Sequence, residues 1–207
     1  MPKPTRAFLE LVYRMPVKPT AGRVTVWRAL KKLGVVYLQD SACVVPDLPN
    51  LREELDRILA KIEDSGGTYH LLPLVGLPPE EEAKLVHLFV QQSEKHYEEI
   101  IEDCEVNFVK EIEFEHFREN YSYAEAEEIR MNFEKISTWL DRVADRDWFS
   151  APNEADAREW LQRCEVLLED FEAKVFEVAG RQNDMKERSE QPPTPADEKT
   201  ERDRQAR

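Results

Sequence analysis

The sequence predicts an α+β protein, and three observations predict it. Short apolar runs alternate with amphipathic helical stretches over residues 1–75. From Glu80 onward the apolar residues recur only at steps of three and four, the helical period. The charge also changes sign. Residues 1–40 hold eight Lys/Arg against two acids, whereas residues 76–150 hold eight bases against twenty acids.

Each element has its own signal. Residues 8–13, FLELVY, read as a short buried strand closed by the Pro-rich MPVKP. Arg23 to Leu33 reads as a helix. Val26, Ala29, Leu30, Leu33 and Trp27 fall on its inward side, Arg28, Lys31 and Lys32 face outward, and Gly34 supplies the stop. Two strands follow, Val35–Gln39 and Ala42–Pro46, joined by a tight turn at Asp40-Ser41. Residues 51–65 form a second amphipathic helix with Leu51, Leu55, Ile58, Leu59 and Ile62 inward, ended by Gly66-Gly67. Thr68–Val75 is a fourth strand. Pro73 lacks an N–H, which places this strand at a sheet edge or ends it early. With right-handed crossovers, this order gives a four-stranded antiparallel sheet carrying both helices on one face. That is a ferredoxin-like βαββαβ domain over residues 7–76.

GLPP at 76–79 marks the boundary to an acidic three-helix segment, residues 80–180. The first helix runs to about Glu115, with Val86, Val90, Ser93, Tyr97, Ile100, Cys104 and Phe108 as its apolar stripe. A second helix starts at the capping box Ser122-Tyr-Ala-Glu125 and buries Ile129, Phe133, Ile136, Leu140 and Val143. The third carries Ala157, Trp160/Leu161, Cys164, Leu167/Leu168, Phe171, Val175 and Val178 and is expected to end at Gly180. The phase breaks between these stripes, which favours an intramolecular hairpin or bundle over a coiled-coil dimer. Trp148-Phe149 is expected to close the turn after Asp147; the alternative is an exposed anchor for a partner. Residues 181–207 have no periodicity and almost no large apolar side chain, so a disordered tail is expected.

Composition narrows the function classes. No apolar run approaches the about 18 residues a transmembrane helix needs, and MPKPTR offers no cleavable apolar region, so a cytoplasmic protein away from membranes is expected. Cys43, Cys104 and Cys164 show no CxxC spacing and read as reduced core thiols. Glu113-Phe-Glu-His116 has the spacing of two metal ligands on one helical face, but a di-iron site needs a second such pair, and none occurs. His70, His87 and His96 are scattered. Only six glycines occur, none spaced as a phosphate-binding loop, and no nucleophile elbow is present. No enzyme, no cofactor and no metal site is therefore expected.

The run LVYRMP, followed by RVTVWRALKKLGVVYLQDSACVVPD, resembles the N-terminal domain of the bacterial chromate-resistance regulators, the ChrB family. FVQQSEKHYEEIIEDC, FEKISTWLDRVADRDWF and ADAREWLQRCEVLLEDFEAKVFE extend that likeness over roughly residues 7–179. The resemblance implies a cytoplasmic bacterial protein of chromate-responsive transcription regulation. Longer family members carry a second, C-terminal domain, so a stand-alone version of the N-terminal module is implied. A more distant likeness links the strand–helix order to the central domain of phenylacetate-pathway repressors and to small CRISPR adaptation nucleases. Those nucleases place an Asp at the end of the first strand. The position here is Arg14, a cation that cannot hold a catalytic Mg²⁺.

The basic region carries the functional expectation. Arg14 and Lys18 lie at and after the first strand, and Arg23, Arg28, Lys31 and Lys32 lie on the next helix. Cations on one rigid face neutralise phosphates, and Tyr13 or Trp27 is available to stack on bases. DNA is the expected partner. The alternative is an interaction protein that docks onto a second copy or a separate sensor subunit through a sheet edge or helix stripe. A solvated face, or one neutralised by the acidic helices, is the simpler reading of the same cations. Net charge is -14, so the DNA reading needs the carboxylates held away from them.

Overall fold

The structure is a computed structural model and describes residues 7–190. It is a mixed α and β protein with one four-stranded antiparallel sheet and mostly helical content. The elements are β1 (Phe8–Arg14), α1 (Thr20–Leu33), β2 (Val36–Gln39), β3 (Ala42–Pro46), α2 (Pro49–Asp64) and β4 (Thr68–Leu74). Then come α3 (Pro79–Glu102), a π-helical segment (Asp103–Phe108), α4 (Val109–Phe117), α5 (Tyr123–Ala144) and α6 (Glu154–Glu190). The chain divides into two compact units. One comprises residues up to Glu99 together with Trp139–Ala157, and the other Ile100–Thr138 together with residues from Arg158 on.

In the first unit the strand order is β2-β3-β1-β4. β1 is central, with Leu11 opposite Cys43 of β3 on one side and Leu71 of β4 on the other. Side chains alternate along a strand, so β1 contributes to two cores. Leu9 and Leu11 join Val26, Leu30 and Leu33 of α1 and Leu55, Ile58 and Ile62 of α2 on one face. Phe8 points to the other face, with Val36 and Val44. Pro73 sits in the edge strand β4, where a missing N–H removes no ladder bond to a further strand.

The second sheet face is covered by a helix residue that the expected stripe omits. Phe89 of α3 is buried against Phe8, Trp148 and Phe149, with ring centroids 6.1, 5.7 and 5.4 Å away. Trp148 and Phe149 therefore pack inside this unit, on the sheet core, and not simply on the turn beside them. Two glycines set close approaches. Gly34, at φ +83°, caps α1 with its N–H on the carbonyls of Leu30 and Lys31. A Cβ on Gly67 would lie 2.8 Å from the Arg14 carbonyl oxygen and 2.9 Å from Ile62.

The second unit is built from helices. Ile100, Cys104, Phe108 and Ile112 are all at most 1% exposed, although they recur at steps of four. An α-helix turns about 100° per residue, so three steps of four drift about 120° off one face. The π-helical segment absorbs that drift, because i→i+5 closure turns less per residue. Phe108 meets Phe133 of α5 at 6.1 Å, and Phe171 of α6 packs on the rings of His116 and Tyr121. Ser122 caps α5 as expected, its Oγ accepting the Glu125 N–H at 3.2 Å. The α4–α5 turn holds a buried carboxylate, Glu115, which accepts from Asn120 Nδ2 at 2.6 Å and from Arg118 at 3.3 Å.

Gly180 does not end the last helix; α6 continues to Glu190. A helical Gly costs about 1 kcal/mol relative to Ala, a penalty that neighbours with good propensity absorb. The disordered tail expected from residue 181 lies outside the described residues from 191 onward.

Candidate nucleic-acid interface

All six basic residues named from the sequence are exposed, and all lie in the first unit. Arg14 ends β1, Lys18 lies in the following loop, and the other four ride on α1. None of the six forms an ion pair with a described carboxylate. Arg14 and Arg23 line one cleft and Lys31 and Lys32 a second, while Lys18 and Arg28 line neither.

The first cleft has a volume of about 420 Å³ and is lined by Arg14 and Arg23 together with Tyr13, Trp27, Asp40 and Ser41. Trp27 is 49% exposed, which corrects its inward placement. It sits about 100° around the helix from Val26, at the border of the buried stripe. Val26, Leu30 and Leu33 already fill the space under the sheet, so the indole is left as a wall of the cleft. Tyr13 and Tyr37 share a hydroxyl–hydroxyl hydrogen bond of 3.2 Å. Burial raises the pKa of both phenols, most strongly that of Tyr37, so both keep their protons. The result is an aromatic wall beside two guanidinium groups, with one carboxylate, Asp40, on the rim.

The helical row continues from Arg23 through Trp27 to Lys31, at successive steps of four, over about 12 Å. Lys31 Nζ lies 5.5 Å from the centroid of the Tyr37 ring, a cation–π contact. Lys31 and Lys32 then open onto the second cleft, of about 430 Å³, which also takes in Gln92, Lys95, His96, Glu99 and Arg146. Sequence reasoning missed Lys95 and Arg146, because both lie in stretches dominated by acids. Arg146 is drawn in by hydrogen bonding. Its Nε donates to the Arg142 carbonyl at 2.8 Å and its Nη1 donates to the Lys31 carbonyl at 3.2 Å. Gln92 Nε2 donates to the Gly34 carbonyl at 3.4 Å. Arg28 stands on the open side of α1, outside both clefts.

Among the described residues few carboxylates line these two clefts. Glu99 is the one acid lining the second cleft, and it stands 4.0 Å from Lys95. The other candidates read from the sequence lie elsewhere. Glu113 is exposed on α4, and His116 Nδ1 is 3.1 Å from the Tyr121 hydroxyl in an aromatic cluster. The cysteines are buried and unbridged. Burial, and then Glu10, push the Cys43 thiol up to about 12, while Cys104 and Cys164 contact each other within the helical unit.

Comparison with known proteins gives the family. The family described as Protein ChrB, N-terminal, matches residues 23–182. Protein ChrB of Cupriavidus metallidurans is 28% identical over 172 residues, which are 83% of this chain and 47% of that protein. The chain thus spans about half the length of that relative. No solved structure matches it. With most of its length matched, the chain belongs to the ChrB N-terminal family. Arg23, Arg28, Lys31 and Lys32 lie inside the matched segment, and Arg14 and Lys18 precede it.

Proposed function

We propose that this member of the ChrB N-terminal family is a regulatory module linked to chromate resistance, one that contacts DNA and catalyses nothing itself. Arg14, Lys18, Arg23, Arg28, Lys31 and Lys32 supply the phosphate contacts, with Trp27 and Tyr13 offering faces on which an unstacked base or sugar rests. We read the antiparallel order β2-β3-β1-β4, with α1 and α2 on one face, as the ferredoxin-like arrangement, which presents α1 as a rigid outer ridge. A cytoplasmic site of action belongs to the same proposal; among the described residues no helix is long and apolar enough to cross a membrane.

The observation that carries the reading is that, among the described residues of this acidic chain, none of the six cations has a carboxylate ion-pair partner. Exposed ion pairs are cheap to form and break, so acids could have neutralised this surface at little cost. A cationic face left open in an acidic molecule suits a polyanion.

The test is a gel-shift titration against the DNA upstream of the protein's own gene, at about 50 and 200 mM salt. A retarded complex at the lower salt that is lost at the higher supports the reading. Absence of a complex at low salt, with elution alongside a second protein instead, replaces it with the docking alternative.

A further inference from the structure

The second cleft holds more positive charge than the DNA reading uses. Lys31 and Lys32 close the last turn of α1, and Lys95, His96 and Glu99 share one face of α3. Arg146 enters from the loop after α5. The cations have an ordinary structural task here, since the C-terminal end of α1 carries roughly half a negative charge. That end and Glu99 together offset less than two of the four positive charges.

Asp145, which lines the neighbouring cleft with Lys32, Arg142 and Arg146, favours the protonated form of Arg146, but Arg142 beside it acts the other way and more strongly. Lys31, Lys32 and Arg146 form no ion pair, and Lys95 reaches only Glu99, at 4.0 Å. Arg146 is held in place by backbone carbonyls while burial, and then the charge of Arg142, work against its protonated form. His96 is held toward its neutral form by burial first and then by Arg146, with Lys31 and Lys95 adding to the effect against Glu99. Burial and like charge both disfavour this arrangement, and a bound anion relieves the charge.

We propose that this cleft is a binding site for a tetrahedral oxyanion of the phosphate class, whether free in solution or carried on a nucleic-acid backbone. Arg146 supplies a fixed guanidinium, Lys31, Lys32 and Lys95 supply mobile ammonium groups, and His96 becomes a further donor once it takes up a proton. The site rests on its own charges and stands whether or not the aromatic cleft binds DNA.

The experiment is calorimetric titration of the full chain with sodium phosphate, and separately with sodium sulfate, against sodium chloride of matched ionic strength. Saturable one-site binding is expected above the chloride control, weakened about tenfold or more by Lys95→Ala, since a charge-assisted contact is worth about 1.5–3 kcal/mol. The Lys95 side chain is 74% exposed, so its removal leaves the fold intact, and His96→Gln provides a second variant. A DNA arm separates the sources. Unchanged DNA affinity in Lys95→Ala assigns the site to a free ion, whereas weakened DNA affinity together with competition by phosphate assigns it to a backbone phosphate. The proposal is overturned by heats equal to the chloride control with unaltered DNA binding, or by saturable binding that neither variant changes. Phosphate binding without any DNA complex would instead remove the DNA reading alone.

Discussion

His96 shows how a single group reports its surroundings. Its folded pKa lies below the ordinary 6.5, through burial and then the charge of Arg146. The groups facing it are Lys31 and Lys32 from α1, Lys95 and Glu99 from α3, and Arg146. Between the folded value and 6.5 the unfolded chain binds more protons than the folded one. The His96 contribution to stability is therefore complete above 6.5 and is lost as pH falls through that window. Urea midpoints measured from about pH 7.5 to 5.5 should fall, and His96→Gln should shallow that fall; an identical slope in both proteins contradicts the assignment. Gly67 makes a purely steric prediction. Its missing Cβ leaves room for the Arg14 carbonyl, a rigid backbone atom, so Gly67→Ala should cost about 1–3 kcal/mol in chemical denaturation. Both features depend on partners distant in sequence, so neither is visible from the residue and its neighbours alone.

The elements divide by how local their causes are. α1, α2 and the four strands were legible because apolar period, Gly34, Gly66-Gly67 and Pro73 act within a few residues. Trp27 was misplaced because the stripe defines a direction, and the number of rings that fit under the sheet depends on what else is there. Phe89 was missed because it answers to Phe8, far away in the chain. The π-helical segment was written in the steps of four from Ile100 to Ile112, a signal that the α-helical period conceals. Deleting the exposed Val106 converts those steps to four, three and four, which an ordinary α-helix keeps on one face. The variant should retain helical circular dichroism and a cooperative melt; loss of cooperative unfolding would show that the π turn does something other than absorb drift. In the α4–α5 turn, Asn120→Ala leaves the buried Glu115 carboxylate with Arg118 alone, and a loss of about 1–3 kcal/mol is expected in urea denaturation.

At the scale of the whole molecule, the chain separates its charges. Most acids fall after residue 75 in the sequence, and the six cations of β1, its following loop and α1 form no ion pair with a described carboxylate. The sequence revealed six of these cations by their density, but not Lys95 and Arg146, which only the fold brings to the end of α1. It did not show that Arg14 and Arg23 serve one cleft and Lys31 and Lys32 another, because the Arg23–Trp27–Lys31 row reads the same either way. The central claim is that Arg14, Lys18, Arg23, Arg28, Lys31 and Lys32 meet phosphates with no ion-paired carboxylate among the described residues to displace first. The most direct measurement is fluorescence anisotropy of labelled upstream DNA across about 50–200 mM salt, for the wild type and for Lys31→Glu combined with Lys32→Glu. The account predicts that log affinity falls with log salt at a slope of about -5, and that the double variant shallows it by about 2. Binding that ignores salt, or a slope that the two charge reversals leave unchanged, would contradict it.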